Sequence, residues 1–190
     1  MPSPIDLSTF RKRDFDRGAG SLKELCWLLA RSALFERSNL PWYRLRRLVL
    51  RLFGADMAEG VVVKAGVKIA FPWKLSVGAH SWLGEDAWLA NFDRITIGAN
   101  VCVSQRALLC TGNHDWSDPA FGLVTKPIVV RDGAWICANV FVAPGVTIGE
   151  NAVATAGSVV TRDLPSGMIC SGNPCVPVKA RVVRASAAQH

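Results

Sequence analysis

Residues 130–164, VRDGAWICANVFVAPGVTIGENAVATAGSVVTRDL, decide the fold, because an aliphatic side chain returns at every sixth position and a second small or aliphatic one follows four places later. The first series is Val130, Ile136, Val142, Ile148, Ala154 and Val160. The second is Ala134, Val140, Val146, Ala152, Ser158 and Leu164. Toward the N-terminus the same period runs in other phases: Ile97, Val103 and Leu109; Val77, Leu83 and Leu89; Met57, Val63 and Ile69. From Ile69 to Val77 and from Leu89 to Ile97 the interval is eight, so two extra residues enter after every third hexapeptide. Three hexapeptides then make one triangular coil, each giving a short strand with its aliphatic residue inward and a turn rich in Gly, Asn or Asp. A globular helix needs apolar spacing near 3.6 and a sandwich needs longer alternating strands; neither runs through this segment. The reading is a mainly β fold, a parallel β-helix of about five coils over 57–165.

The flanks differ. Residues 1–56 carry Leu22, Leu25, Cys26, Leu28 and Leu29, then Leu45, Leu48, Val49 and Leu52, at helical spacing, which predicts two amphipathic helices. Asn39-Leu40-Pro41 punctuates them and Gly54 stops the second. Two readings stay open for this segment. It caps the first coil, as terminal solenoid coils require, or its Arg44, Arg46, Arg47 and Arg51 with Trp42 and Tyr43 lie on a membrane surface near an anionic lipid-linked sugar. Residues 166–190 read as a C-terminal tail.

Half of the 190 residues are hydrophobic, enough for a real core. The net charge of +7 is concentrated early, with 11 Lys and Arg against 6 Asp and Glu in residues 1–56. That bias suits an anionic partner but equally an ordinary solvated surface. The basic and aromatic face that nucleic-acid binding needs is not apparent beyond the N-terminal helices, so no nucleic acid is expected. The six cysteines form no CxxC pair, and no secretory signal or apolar run of membrane-spanning length accompanies them. Buried free thiols in a reducing cytoplasm follow, with the protein soluble or at most peripheral at the inner membrane face.

Between Leu109 and Val130 the period fails for 21 positions, and residues 110–129 form an excursion that opens on Cys110-Thr111-Gly112-Asn113-His114-Asp115-Trp116-Ser117-Asp118-Pro119. Solenoids carry function on such loops. A lone loop histidine is more often plain surface, but His114 is one of only three histidines and stands at the start of the longest break in the repeat.

Gly112-Asn113-His114-Asp115, then Ser117-Asp118-Pro119 and Lys126-Pro127-Ile128, resembles the active-site loop of the hexapeptide-repeat O-acetyltransferases that act on maltose, galactosides and nodulation factors, and most of all the colanic-acid-type exopolysaccharide enzymes. Asp132-Gly133-Ala134-Trp135-Ile136, Pro144-Gly145-Val146-Thr147-Ile148-Gly149, Ala156-Gly157-Ser158-Val159-Val160-Thr161 and Ser171-Gly172-Asn173-Pro174 continue the resemblance across residues 57–182. It implies a left-handed β-helix, a homotrimer with active sites between subunits, acetyl-CoA as co-substrate, no metal, and His114 as general base toward a sugar hydroxyl. It further implies Trp135, Ala138 and Ala156 along the pantetheine arm, and Arg162, Lys179 and Arg181 facing the CoA phosphates. Asn91 and Asp93, in the turn one coil before His114, are the expected acceptor residues, although Asn and Asp are also ordinary turn residues. Asp115 is a weak candidate for orienting the imidazole, because adjacent side chains seldom meet.

Two positions depart from the family pattern. Cys137 and Thr155 stand where glycine is usual, so their side chains either narrow the CoA groove or are taken up inside the coil. A zinc enzyme on the same scaffold needs three converging histidines, and His80, His114 and His190 are too dispersed. A silent interaction solenoid explains the repeat but not the His114 loop. Among acceptors, the resemblance favours exopolysaccharide precursor sugars over a free oligosaccharide or a xenobiotic alcohol.

Overall fold

The computed structural model describes residues 5–10, 15–36 and 40–184. The hexapeptides fold as their period requires, into a solenoid with three parallel sheets, here called faces A, B and C. Face A stacks Asp56–Met57, Leu75–Val77, Ile95–Ile97, Ile128–Val130 and Thr147–Ile148. Face B stacks Val62–Val63, Trp82–Leu83, Cys102–Val103, Trp135–Ile136, Val153–Ala154 and Met168–Ser171, and face C stacks Lys68–Ile69, Trp88–Ala90, Leu108–Cys110, Phe141–Val142 and Val159–Val160. Five coils are complete. A sixth is begun by a parallel bridge from Leu164 to Ile148 and by Met168–Ser171 beside Val153–Ala154, so the solenoid continues into the segment read as a tail.

Register puts one aliphatic series in each sheet, such as Met57, Val77, Ile97, Val130 and Ile148 on face A, and none of these is more than 2% exposed. The second series fills the same core, including Ser158 at 1%. Because successive strand residues point to opposite sides, the outward partners on face A are polar at every level but one (Asp56, Ser76, Thr96 and Thr147, with Val129 the exception). On faces B and C they include Trp82, Trp135 and Trp88, exposed at 55%, 44% and 48%. Left-handed turn residues turn the corners, His80, Asp86, Asn100, Arg106, Asn139 and Asn151 among them, with φ between 55° and 58°.

All the insertions leave at the corner joining face C to face A. There the first coil adds a 3-10 turn at Pro72–Lys74, the second the turn 91–94, and the third the excursion up to Lys126.

The N-terminal segment forms two helices, α1 (Ser21–Arg31), which runs on through a π turn (Ser32–Glu36), and α2 (Tyr43–Leu52). They cover the first coil: Trp27 Nε1 donates to Ile69 O (3.1 Å) and the Gly66 amide to Phe35 O (2.8 Å). Arg46 is fully buried, donating from Nε to Leu34 O (2.9 Å) and from Nη1 to Val63 O (3.4 Å). It therefore belongs to the cap and not to a membrane-facing row. The residues that dock are Trp27, Phe35 and Leu50, whereas the leucines whose spacing signalled the helices face solvent, Leu22 at 75%, Leu29 at 65% and Leu52 at 74%. Asn39 lies outside the described residues. At the far end, Val176–Ala180 folds back antiparallel on Met168–Ser171, so face B ends in a paired strand.

The cysteines depart from the buried set expected of them. All are free, but only Cys170 and Cys175 are buried; Cys102, Cys110 and Cys137 are half-buried and Cys26 is exposed on α1. No described helix is long and apolar enough to cross a membrane.

Candidate active site

The excursion folds as a short antiparallel hairpin, Gly112–His114 against Leu123–Thr125, standing off the corner between faces C and A. Its base rests on the coil below. A Cβ at Gly112 would come within 2.9 Å of the Phe92 ring, so only glycine lets the hairpin seat on the 91–94 turn. The loop is organised by Asp118. Its carboxylate accepts from the Ala120 amide (2.9 Å) and the Gly122 amide (3.1 Å), while its carbonyl accepts from the Phe121 amide (2.8 Å). These bonds hold Phe121 in the left-handed region, at φ 53°, which a bulky side chain rarely adopts unaided.

That conformation serves His114. The Phe121 carbonyl lies 2.8 Å from His114 Nδ1, and the Phe121 ring stacks on the imidazole at 4.4 Å with an interplanar angle of 9°. A carbonyl only accepts, so Nδ1 carries the proton of the neutral ring, and the lone pair sits on Nε2. The tautomer a base needs is set by main chain. Asp115 does not orient the ring; its carboxylate accepts from the Ser117 amide (2.8 Å) and hydroxyl, which holds it below the usual carboxylate range.

His114 lines a cavity of about 590 Å³ between the hairpin and face C, with Trp116, Lys126, Phe141, Pro144 and Thr161 among its walls. Lys126 brings a cation, its stem packed over Gly145, whose own φ of 82° suits glycine. Arg162 is exposed next to Thr161 at the same corner. The other residues expected along CoA lie elsewhere on the chain. Trp135 is on face B, its Nε1 donating to Ser104 Oγ (2.9 Å). Ala138 and Ala156 stack in successive turns between faces B and C, where the Gly157 amide donates to Ala138 O (2.9 Å). Lys179 is exposed on the returning C-terminal strand, and Arg181 spends Nη1 on Gly133 O (2.8 Å) and Asn151 O (3.2 Å) at the corner between faces A and B. None of these five lines the His114 cavity. Cys137 packs against the core, where burial pushes its thiol up, and Thr155 Oγ1 donates to Ser171 Oγ (2.7 Å) and also bonds Ser158 Oγ (3.1 Å). Both departures from glycine are thus absorbed by the coil.

The two expected acceptor residues separate. Asn91 is fully buried; its Oδ1 accepts from the Ala70 and Phe71 amides (3.0 Å each) and its Nδ2 donates to Phe71 O (2.6 Å). This is at odds with an acceptor role for Asn91, because its side chain is enclosed and committed to bracing the adjacent insertion. Asp93 is half-exposed, and its amide donates to Thr111 Oγ1 (2.8 Å), which ties it to the root of the hairpin. Of the three histidines weighed as a zinc set, His80 is a turn residue on another corner and His190 lies outside the described residues. Among the described residues no group of three or more His, Cys, Asp or Glu side chains is placed to hold a metal ion.

Sequence reasoning missed Phe121, Asp118, Trp116 and Lys126 as members of the site. Three of them stood inside the quoted motifs; the signal was position in the excursion, not residue type.

No protein-family model matches the chain. It is 42% identical over 177 residues, 93% of its length and 97% of the relative's, to the Escherichia coli K12 protein that carries the name colanic acid biosynthesis acetyltransferase WcaF. Among solved structures, a galactoside acetyltransferase in complex with coenzyme A superposes with a TM-score of 0.77 at 25% identity over 84% of this chain and 80% of that one. A maltose O-acetyltransferase of Clostridium difficile 630 does so with 0.74 at 27% over 85% and 88%. With the repeat, the hairpin that interrupts it and this near-full-length similarity together, the chain belongs to the hexapeptide-repeat acetyltransferases.

Proposed function

We propose that this acetyltransferase moves an acetyl group from acetyl-CoA to a sugar hydroxyl of an exopolysaccharide precursor in the cytoplasm, with His114 as general base. The observation that carries the reading is the His114 tautomer fixed by the Phe121 carbonyl, which leaves Nε2 as a proton acceptor at the wall of a cavity fit for a substrate. A sugar hydroxyl is a poor nucleophile at neutral pH; Nε2 takes its proton as the oxygen attacks the thioester carbonyl. The tetrahedral intermediate collapses with cleavage of the C–S bond, and the imidazolium returns the proton to the departing thiolate, giving the sugar acetate and free CoA. No covalent enzyme intermediate is needed once both substrates are held together. Lys126 and Arg162 supply cations for the CoA phosphates, and Asp93 stands on the acceptor side.

A homotrimer with active sites between subunits accounts for the dispersal of Trp135, Ala138, Ala156, Lys179 and Arg181 away from His114, since a neighbouring chain supplies the second wall of the groove. Exposed Trp82, Trp88 and Trp135 on faces B and C favour such packing.

Peripheral contact of α1 and α2 with the anionic inner membrane face completes the proposal. On the sides turned from the first coil, Leu22, Leu25, Cys26 and Leu29 form one helical stripe and Leu45, Leu48 and Leu52 another, with Arg44 and Arg47 in a short row beside the second, while Arg51 turns its guanidinium back to Met57 O in the first coil. Two copies meeting through this surface would bring like-charged rows together; an anionic lipid surface meets both stripes and cations.

The test is thiol release from acetyl-CoA with lipid-linked or nucleotide sugars. Turnover is expected in the wild type, with a loss of about 10²–10⁴-fold in His114→Ala. Equal rates in the two proteins would overturn the assignment.

A further inference from the structure

The His114 ring is held on two sides. Phe121 covers one face, and the edge is met by Phe10 at 5.8 Å with an interplanar angle of 61°. Phe10 comes from near the start of the sequence, 104 positions before His114, on a strap that the reaction scheme above does not use. The strap is fastened directly to the catalytic loop, the Asp6 amide donating to Pro119 O (2.9 Å). Asp6 also folds the strap's 3-10 turn, Leu7–Thr9: its Oδ1 accepts from the Ser8 amide (3.0 Å) and hydroxyl (2.6 Å), and its carbonyl accepts from Thr9 Oγ1 (2.7 Å). From Phe15 onward the described residues are held to the first two coils. Phe15 packs between Phe71 and Phe92, Trp73 Nε1 donates to Arg17 O (2.6 Å), and Lys74 Nζ reaches both Asp16 O and Phe92 O.

We infer that Phe10 is a positioning residue for the general base, and that the N-terminal strap is thereby part of the catalytic apparatus. The inference rests on His114 being that base. The hairpin needs such support because it stands off the solenoid with three residue pairs of its own, and its tip is open to solvent, Trp116 being 79% exposed. The Phe121 contacts fix the tautomer and the ring plane. The Phe10 ring opposes rotation of the imidazole about its bond to Cβ, and an edge-to-face pair of this kind holds an orientation beyond what buried area alone provides. Small displacements of a base cost rate steeply.

The experiment compares Phe10→Ala, Phe10→Leu and Phe10→Tyr in the full chain. Steady-state kinetics for both substrates and thermal melting are measured, together with the rate at which diethyl pyrocarbonate modifies His114 without substrates, His80 serving as internal reference. Phe10→Ala is expected to lower kcat about three- to tenfold with both KM values unchanged, and to speed His114 modification relative to His80. Tyrosine restores both, and leucine, with similar bulk but no ring edge, does not. Wild-type kcat in Phe10→Ala, or a raised acceptor KM at unchanged kcat, would overturn the inference, the latter making Phe10 a wall of the acceptor site. If the alanine variant fails to fold, Phe10→Leu decides alone, and wild-type turnover in it is the overturning result. Failure of the base assignment shows separately, as retained turnover in His114→Ala, because the modification rate is read without turnover.

Discussion

Asn91 and Asp93 are two positions apart in one turn and do unlike work. Asn91 closes three hydrogen bonds inside the corner, and Asn91→Ala strands the Phe71 amide there, the Ala70 amide keeping Leu89 O and the Phe71 carbonyl keeping the Lys74 amide, which is expected to cost about 1–3 kcal/mol. Melting should fall by several degrees, with loss of activity following loss of fold. Asp93→Asn is expected to leave the melting temperature in place and raise the acceptor KM roughly tenfold, the scale of one lost charge-assisted hydrogen bond. Calorimetry and initial rates on the two variants read the difference, and equal stability effects would refute it. At this scale the sequence is uneven evidence. His114 stands out in it because the loop that carries it breaks a countable period. The enclosure of Asn91 is not legible there, because a turn asparagine points in or out according to the insertion it must brace, which residue type does not reveal. Phe121 and Phe10 acquire roles only through a left-handed backbone and a contact between distant chain segments.

The two helices show what periodicity can and cannot say about an element. Helical spacing located both, but each carries two apolar sides, and spacing alone does not choose which one meets the coil. The bulkier set, Trp27, Phe35 and Leu50, took the interior, where deep packing rewards large rings, and the leucine stripes were left outside. If those stripes serve a bilayer, the protein will co-sediment with phosphatidylglycerol-containing vesicles and much less with phosphatidylcholine alone. A fluorophore on Cys26, in the middle of the α1 stripe, should shift to the blue on binding. Leu25→Glu with Leu48→Glu should abolish both signals without changing turnover on a soluble acceptor. Binding that survives this pair would place the membrane contact elsewhere.

For the whole molecule, the hexapeptide count predicted about five coils, and five complete ones with a sixth begun are present. The surplus went unseen because the last strand is longer and ends in a reversal, which no repeat announces. The proposal that sites are shared between subunits is tested by a mixing experiment. His114→Ala removes the base from one wall, and Ala156→Trp, at an exposed turn the fold should tolerate, blocks the other. Each variant alone is expected to be inactive. Co-assembled in equal amounts, they should recover about a quarter of wild-type activity, because in a closed ring one interface in four pairs an intact base with an intact groove. No recovery would mean that each site is complete within one chain.

The hairpin leaves the stack between its third and fourth coils. In a structure held together only by neighbour-to-neighbour contacts, thermal opening begins where a layer has a single neighbour and moves inward. The helices and the returned strand cover the two ends, and His114, the proposed base, sits near the middle, where that advance would arrive late. Fraying of the outer coils leaves the layers that carry the hairpin paired until several have parted, and the end that matters to it first is the one that holds the Phe10 strap.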